Sequence, residues 1–311
     1  ETITLEKIYM GKFPIMLRSD LCILKELTNE VRFNMGECRS DNGGYFIIDG
    51  KEKVIVSQEK FADNVLYIKK NKEDNKYSHA AEIRSVSEDA SKPIRTLSVR
   101  IEAESGSFKN QNIVVNVPNI RKPVPLFILM RALGVISDKD ICAKILLDVN
   151  HEKNKKMKFG LKASIFDSNG CLTKEDAINY ITTQAMYTPI NMTKEQGISK
   201  KKEFTLNVIN NDLFPHCQTK IQKIYFMGTM VHKLLKTSYG WRKKDDRDSY
   251  INKRIDLVGT LLNNLFRNYF NKLVKDMTKQ VIREINNGSW KSTNNYTNII
   301  NHTNIYKIVK S

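Results

Sequence analysis

The sequence feature that most constrains the fold is an apolar repeat near the end of the chain, between residues 255 and 286. Apolar side chains recur there at steps of three and four residues, at Ile255, Val258, Leu262, Leu265, Tyr269, Leu273, Met277, Val281 and Ile285. This spacing places them along one face of an α-helix, while lysines and arginines occupy the other faces. We therefore predict one long amphipathic helix over 255–286, with its apolar stripe packed in a core rather than against a partner.

Before residue 118 the pattern is typical of strands. The clearest case is 44–58, where two β-rich runs flank Asp49-Gly50, a pair that tolerates the positive φ angles of a tight hairpin turn. Further strands are predicted at 65–69, 80–86, 95–102 and 112–117. Helices are predicted at 125–133, 138–148, 174–186, 199–211 and 219–239, with Thr173 and Asp176 spaced as in a capping box. The expected fold class is α+β.

The composition points to an anionic partner. The 311 residues include 51 Lys and Arg against 34 Asp and Glu, a formal net charge of +17, and nucleic acid is the commonest partner of such a basic chain. An AT-rich genome would also enrich lysine, which explains part of the surplus in another way. No stretch approaches about 18 consecutive apolar residues, and the first residues lack a signal-peptide pattern, so a membrane or secreted protein is not expected. The length is typical of two domains.

The sequence contains no motif of a complete active site. It lacks a Walker phosphate loop, Gly-x-Gly-x-x-Gly and His-Glu-x-x-His, and its five cysteines are too scattered for a zinc site, so they are expected to be free thiols. One acidic cluster, Asp245, Asp246 and Asp248, has the residue types of a divalent-metal site for phosphoryl transfer. Basic residues in the same segment would neutralise it, which favours a solvated or DNA-facing loop.

Three segments, taken in order, resemble the second-largest subunit of multisubunit DNA-dependent RNA polymerases, the counterpart of bacterial β. They are Gly11–Ser19 with Gly36-Glu37-Cys38, then 43–59 around the hairpin, and finally Asp245–Gly259, which contains Asp-Asp-Arg-Asp and Lys-Arg. Ala81–Ser85 and Arg131–Gly134 follow the family's order as well. The resemblance is thinnest at 150–200 and after 286. It is closest to the eukaryotic polymerase II type, and the composition would also fit a large DNA virus.

The resemblance implies a strand-rich module, the protrusion, into which a mixed α/β module, the lobe, is inserted before a long amphipathic helix returns to the protrusion. The implied boundaries are 1–63 for the first part of the protrusion, 64–254 for the lobe and 255–311 for the returning part. Both chain ends suggest a piece of a longer protein. The implied activity is that of a nucleotidyltransferase complex whose Mg²⁺ is held mainly by the largest subunit, so this chain would hold no cofactor, no metal and no catalytic residue.

The first site implied by the resemblance contacts DNA. In the family the Asp-Asp-x-Asp…Arg segment lies near the non-template strand, which assigns DNA contact to Asp248, Lys253 and Arg254, with further basic residues at Arg247, Lys243 and Lys244. Lysine and arginine would neutralise phosphates, and an aspartate would accept a hydrogen bond from a base amino group. Bacterial members have arginine where this chain has Lys253, so a point-charge contact is expected there. The alternative is a structural ion-pair network at a domain junction.

The second implied site is the hairpin, whose Lys53, Ser57 and Gln58 match positions that face the RNA–DNA hybrid in the family. Strand alternation over 51–58 would put Lys53 and Ser57 on one face and Gln58 on the other, so Lys53 and Gln58 would share a ligand only if the strand is interrupted. A solvated hairpin is the alternative. The basic run 151–158 is expected to be a solvated surface of the lobe.

The resemblance also implies partners and a location. The partners are the largest polymerase subunit, the other subunits, DNA and the RNA–DNA hybrid, with initiation factors on the lobe. The protein would be intracellular, in the nucleus if its genome is cellular and in the cytoplasm or virion if it is viral. Two other functions stay open: a stand-alone basic DNA-binding or architectural protein, and a metal-dependent nuclease centred on Asp245, Asp246 and Asp248.

Overall fold

The computed structural model describes residues 4, 6–7, 12–72, 75–89, 92–104, 111–168, 170–188 and 193–288. The chain divides into two units: the first combines Glu1–Lys60 with Arg254–Ser311, and the second is Phe61–Lys253. The chain therefore changes unit at 60/61 and 253/254, where the sequence predicted 63/64 and 254/255. The identification of these units as protrusion and lobe stays a prediction. The α+β class is confirmed, because helices and antiparallel strands both occur.

The first unit contains the predicted hairpin. After a short helix α1 (Asn29–Asn34), strands β1 (Phe46–Ile48) and β2 (Lys51–Lys53) pair antiparallel. Asp49 and Gly50 between them have φ of 51° and 74°, as a two-residue turn with two positive φ angles requires. The uninterrupted alternation expected over 51–58 is wrong, because β2 ends at Lys53 and a new strand, β3 (Gln58–Phe61), begins only after four residues outside any strand.

The second unit is built on a five-stranded antiparallel sheet. Its strands are β4 (Leu66–Lys70), β5 (Tyr77–Ser85), β6 (Arg95–Glu102), β7 (Ile113–Asn116) and β8 (Val124–Pro125), and each pairs with the next along the chain. The four strands predicted between residues 65 and 117 are confirmed within a few residues. Strand β4 forms an edge of the sheet, so its outer backbone groups need partners from elsewhere.

Helices follow the sheet and cover it. They are α2 (Leu126–Leu133), α3 (Asp138–Leu146), α4 (Glu152–Phe166), α5 (Lys174–Gln184), α6 (Lys194–Asn207, followed by a π-helical turn at Val208–Asp212) and α7 (Lys220–Ser238). Five of the six were predicted, and the Thr173–Asp176 capping box is confirmed. Helix α4 was not predicted as a helix; its first half is the basic run 151–158.

The core of the second unit lies where α2, α4 and α7 pack on the sheet. It is a continuous cluster of buried apolar side chains that extends from Ile68 to Leu235. Arg131 is 2% exposed within it, and its guanidinium donates to the carbonyls of Ser168 (2.9 Å) and Cys171 (2.5 Å) and to the Asp138 carboxylate (2.5 Å). This buried cation therefore ties the end of α2 to two later segments.

The last described elements are β9 (Lys253–Asp256), along which the chain passes from the second unit into the first, and α8 (Val258–Asn286) of the first unit. Strands β3 and β9 form a two-stranded sheet, and Lys60 forms an ion pair with Asp256 at 3.0 Å. The long helix is confirmed, although it begins after a strand that takes the first residues predicted as helical. The prediction that its stripe is core is wrong for the described residues, because only Leu273 of the nine stripe members is buried.

No helix in the described ranges is both long and apolar enough to cross a membrane.

Candidate nucleic-acid interface

The predicted DNA-contacting residues lie mainly in the loop between α7 and β9. Helix α7 ends where Gly240 adopts a φ of 73°, with its amide hydrogen-bonded to the Thr237 carbonyl and that of Trp241 to the Lys236 carbonyl. This left-handed termination satisfies the last carbonyls of the helix and turns the chain away from its axis. The exposed side chains of Lys243 and Lys244 follow directly.

Asp245 fixes this loop to the edge of the sheet. Its carboxylate accepts a hydrogen bond from the Ile68 amide of β4 (2.9 Å), and its own amide donates to the Ile68 carbonyl (3.0 Å). Both carboxylate oxygens also accept from the Arg242 guanidinium, at 2.5 and 3.0 Å. Asp245 thus pairs the free edge of β4 and holds Arg242 in a bidentate geometry, so its role is structural.

The loop residues from Asp246 to Asn252 form a tight turn that is stabilised by hydrogen bonds within it. The Asp248 amide donates to the Asp246 carboxylate (3.0 Å), and the Asn252 side chain donates to the Asp246 carbonyl (2.6 Å). The Asn252 carbonyl in turn accepts from the Ala62 amide (2.9 Å). These bonds fix the backbone of the loop while leaving the Asp248 side chain 89% exposed.

Two of the predicted basic residues converge on one aromatic ring. The Arg247 guanidinium carbon and the Lys253 ammonium nitrogen each lie 4.0 Å from the centroid of Phe61. Cation–π contacts of this kind position a charge without neutralising it. Lys253 also lies 4.0 Å from the Asp248 carboxylate, and its side chain is only 17% exposed. Arg247 is therefore exposed, whereas the side chain of Lys253 is mostly buried.

Arg254 follows Lys253 directly in β9. It is the first residue of the returning part of the first unit and is exposed. Consecutive side chains of a strand point to opposite faces, so Lys253 and Arg254 of β9 point in opposite directions. Within the second unit, the structure therefore brings together Arg247, Asp248 and Lys253.

Sequence reasoning missed three residues of this surface. Phe61 escaped notice because nothing in its local pattern links it to residues almost two hundred positions away. Tyr250 and Ile251 are 87% and 82% exposed at the end of the loop, in a 3₁₀ turn directly before β9. An aromatic side chain within a basic run is a signal for base stacking, and it was available in the sequence.

The second predicted site, the hairpin, is exposed but not assembled. Lys53 is the last residue of β2, Ser57 lies outside any strand, and Gln58 begins β3, and all three side chains are exposed. Val54 and Val56 between them are 70% and 76% exposed. Because β2 and β3 are separate strands, Lys53 and Gln58 need not point to opposite faces. Strand geometry therefore does not prevent them from contacting the same ligand.

The acidic cluster does not have the geometry of a metal site. Asp245 uses both carboxylate oxygens on Arg242 and Ile68, and Asp246 accepts from the backbone of its own turn. Throughout the part of the chain that the structure describes, no group of three or more His, Cys, Asp or Glu side chains is placed to hold an ion. The donor set here therefore does not fit the two-metal chemistry of a nuclease.

One serine–histidine pair elsewhere in the second unit invites a catalytic interpretation. His216 Nδ1 lies 2.7 Å from Ser85 Oγ, but Ser85 is fully buried, so no substrate reaches its hydroxyl. Burial lowers the pKa of His216, and it does the same for His79 and His232, because the charged imidazolium loses hydration. Burial therefore favours the uncharged form of these three histidines in the folded unit.

Comparison with protein families gives one match over nearly the whole chain. The family model described as RNA polymerase beta subunit matches residues 1–307. The matched range contains the whole second unit, all but the last four residues of the first unit, and both predicted sites.

Curated relatives agree with this match. The chain is 36% identical to DNA-directed RNA polymerase II subunit 2 of Arabidopsis thaliana over 93% of its length, and 39% identical to DNA-directed RNA polymerase II subunit RPB2 of Encephalitozoon cuniculi over 91%. It is 31% identical to DNA-directed RNA polymerase subunit Rpo2 of Saccharolobus solfataricus over 89%. The chain spans about a quarter of the length of these relatives, 24%, 24% and 23% respectively.

Proposed function

Since this chain belongs to the RNA polymerase beta subunit family, we propose that it forms part of the second-largest subunit of a DNA-directed RNA polymerase and contacts DNA during template-directed RNA synthesis. The observation that supports this most strongly is the family match over residues 1–307, together with relatives whose names all specify a DNA-directed RNA polymerase. A stand-alone DNA-binding protein is not favoured, because the match leaves almost none of the chain for an unrelated function.

The two units supply the architecture for this role. We assign Phe61–Lys253 to the lobe and the first unit to the protrusion, which together line the DNA cleft of the polymerase. The insertion of one unit between two parts of the other supports the assignment, since the family resemblance implies the same order of modules.

The α7–β9 loop provides the DNA contact in this proposal. Lys243, Lys244 and Arg247 are exposed cations on a backbone that Asp245 and Asn252 fix, so they lose little freedom when they meet phosphates. Tyr250, three residues after Arg247 in the same loop, has an exposed ring that can stack on an unpaired base. Asp248 is the exposed acceptor for a base amino group.

The remaining contacts are less direct. In this proposal Lys53, Ser57 and Gln58 of the hairpin face the RNA–DNA hybrid. Lys253 and Arg254 add positive charge; the side chain of Lys253 is only 17% exposed, so it attracts phosphates electrostatically without touching them. The partners are the largest subunit, the other polymerase subunits and initiation factors. The catalytic Mg²⁺ is held by the largest subunit, so this chain positions nucleic acid and performs no bond-making step. The protein acts in the nucleus of a cellular host, or in the cytoplasm or virion of a viral one.

The test is to tag the protein that contains this chain in its own host, purify it gently and assay template-dependent ribonucleotide incorporation. The proposal predicts RNA synthesis that depends on DNA template and Mg²⁺, with a larger co-purifying chain that contains the catalytic aspartates. A monodisperse basic protein without such a partner and without synthesis would contradict it.

A photo-crosslinking residue at Lys53 tests the hairpin within the same complex. We expect it to label template DNA or nascent RNA in a stalled elongation complex, whereas the same residue at Lys122 of the second unit, also exposed, should not. Equal labelling from both positions would remove the hairpin from the proposal.

A further inference from the structure

Helix α4 has apolar residues on two opposite faces. Its core face consists of Met157, Leu161 and Ser164, all fully buried, and the Ser164 hydroxyl accepts a hydrogen bond from the Ile113 amide of β7 at 2.9 Å. At about 100° per residue, Phe159 and Phe166 lie on the opposite side of the helix. Their side chains are 73% and 68% exposed. An ordinary surface helix is polar on that side, so the two phenylalanines need an explanation other than folding.

The exposed face has a regular pattern. Lys155, Phe159, Lys162 and Phe166 follow one another at steps of four, three and four residues. This is the spacing of a coiled-coil seam, in which side chains three and four residues apart contact the same partner helix. The four positions extend over about 16 Å of helix axis at 1.5 Å per residue. We name them the α4 seam.

Contacts within the second unit fix the orientation of the α4 seam in the absence of a partner. Gly160, on the side of α4, allows the Tyr239 ring to approach so closely that a Cβ at position 160 would lie 2.2 Å from the Tyr239 hydroxyl. That hydroxyl donates to the Lys156 carbonyl at 3.3 Å. The helix therefore cannot rotate about its axis without breaking these contacts, and the seam side chains stay at the surface.

We propose that the α4 seam binds an acidic amphipathic helix of another protein. The phenylalanines supply the apolar anchors that such interfaces use, and Lys155 and Lys162 alternate with them as positive charges that require carboxylates opposite. Their present contacts compete weakly: Lys155 makes an exposed ion pair with Glu152 at 3.2 Å, and Lys162 lies 5.0 Å from the Phe159 ring.

Charge and spacing together favour this occupant over two others. A second copy of this chain would bring a molecule of the same +17 charge against the seam, so self-association is opposed. Single-stranded nucleic acid also carries negative charge, but residues seven apart on the seam are about 10.5 Å apart along the axis, which is the repeat that a second helix matches. This inference does not depend on the proposed polymerase function.

The experiment measures fluorescence anisotropy of a labelled three-heptad peptide whose seam alternates leucine and glutamate, titrated with the whole 311-residue chain. We expect saturable binding that the double variant F159S/F166S weakens at least about tenfold. The double variant K155E/K162E should lose the acidic peptide to a similar extent and gain affinity for the same peptide with lysine in place of glutamate. This reversal separates a seam contact from general attraction to a basic protein.

The matched control is K194E/I198S, which changes an exposed lysine and an exposed isoleucine on α6 of the same unit. It should leave the affinity unchanged, and thermal unfolding of every variant verifies that the fold persists. Equal affinity of all variants would overturn the proposal. So would seam-dependent binding of an oligothymidylate with none of the peptide, or sedimentation that shows a dimer abolished by F159S/F166S.

Discussion

The two units of this protein differ in how their described residues use apolar side chains. The second unit buries a continuous cluster that includes strands and helices from Ile68 to Leu235. In the described part of the first unit, only Phe46 and Leu273 are buried apolar residues, while α8 exposes Leu265, Phe266 and Phe270 by 40% or more. The second unit thus contains its own core. The strongest helical pattern in the sequence, that of α8, belongs to the first unit, which has the smaller core.

This difference shows that periodicity and burial are separate properties. A stripe at helical spacing predicts a helix reliably because the side chains share one face, but it does not say what covers that face. In α8 the stripe side meets little within the described residues, with Phe13 packed edge-on against Phe266 at 5.9 Å as one of its few contacts. In α7 the corresponding side, with Met227, Val231 and Leu234, is fully buried.

The largest effect should come from removing the buried cation of the second unit. We expect R131M to lower the free energy of unfolding by about 4 kcal/mol, because the buried carbonyl of Ser168 and the partly buried carbonyl of Cys171 would lose their donor and Asp138 its partner. Urea unfolding followed by circular dichroism measures this. The control is R121M, an exposed arginine, which should change stability by less than about 0.5 kcal/mol. Equal effects would mean that the core does not depend on Arg131.

A matched pair of leucines tests the comparison directly. Leu234 on α7 is fully buried and Leu265 on α8 is 50% exposed. We expect L234A to cost about 3 kcal/mol, through lost burial and a cavity, and L265A to cost about 0.5 kcal/mol or less. The same unfolding assay applies, with each variant's transition compared with that of the unaltered chain. If L265A cost as much as L234A, the first unit would have a core that the comparison denies.

The smallest of the stability effects is the loss of stability of the second unit at acidic pH. His79, His216 and His232 all lie in the second unit, and burial lowers the pKa of each below its usual 6.5. Because the unfolded chain takes up protons before the folded one, their stabilisation is complete above about pH 6.5 and is lost as the pH falls through the lowered pKa values. Hydrogen exchange at pH 7 and pH 5, corrected for the intrinsic rate, should show the second unit opening more readily at pH 5. The variant H79Q/H232Q should reduce the difference, and a pH effect confined to the first unit would contradict the account.

Much of the second unit could be predicted from sequence, because its signals are local. Strand composition, the Thr173 capping box and the spacing of α7 each act within one turn or one strand. Helix α4 could not be predicted because its phenylalanines lie opposite its core face, so its apolar residues form no single stripe. The strand β9 was taken into the predicted long helix because Ile255 continues the stripe by chance; its side chain is 67% exposed.

The candidate interface was predicted in its charges but not in its construction. The basic residues and Asp248 can be read directly from the sequence, and the resemblance gives them a role. Their positions depend on Phe61 and on the Ile68 backbone, which are far away in the chain. The same distance explains part of why Asp245 resembled a metal ligand: its neighbour Arg242 lies only three residues away, but the edge strand that its carboxylate also binds, at Ile68, is remote in the sequence.

The most direct test of the central claim, that the α7–β9 loop contacts nucleic acid phosphates, is the salt dependence of duplex DNA binding. K243Q/K244Q/R247Q should weaken binding and reduce the slope of log K against log salt by about 2–3, since each phosphate contact contributes about 0.9. The control K122Q/K139Q/K194Q removes the same charge from exposed lysines elsewhere in the second unit and should leave the slope nearly unchanged. Identical slopes and affinities for the two triple variants would contradict the claim, because net charge alone would then account for the binding.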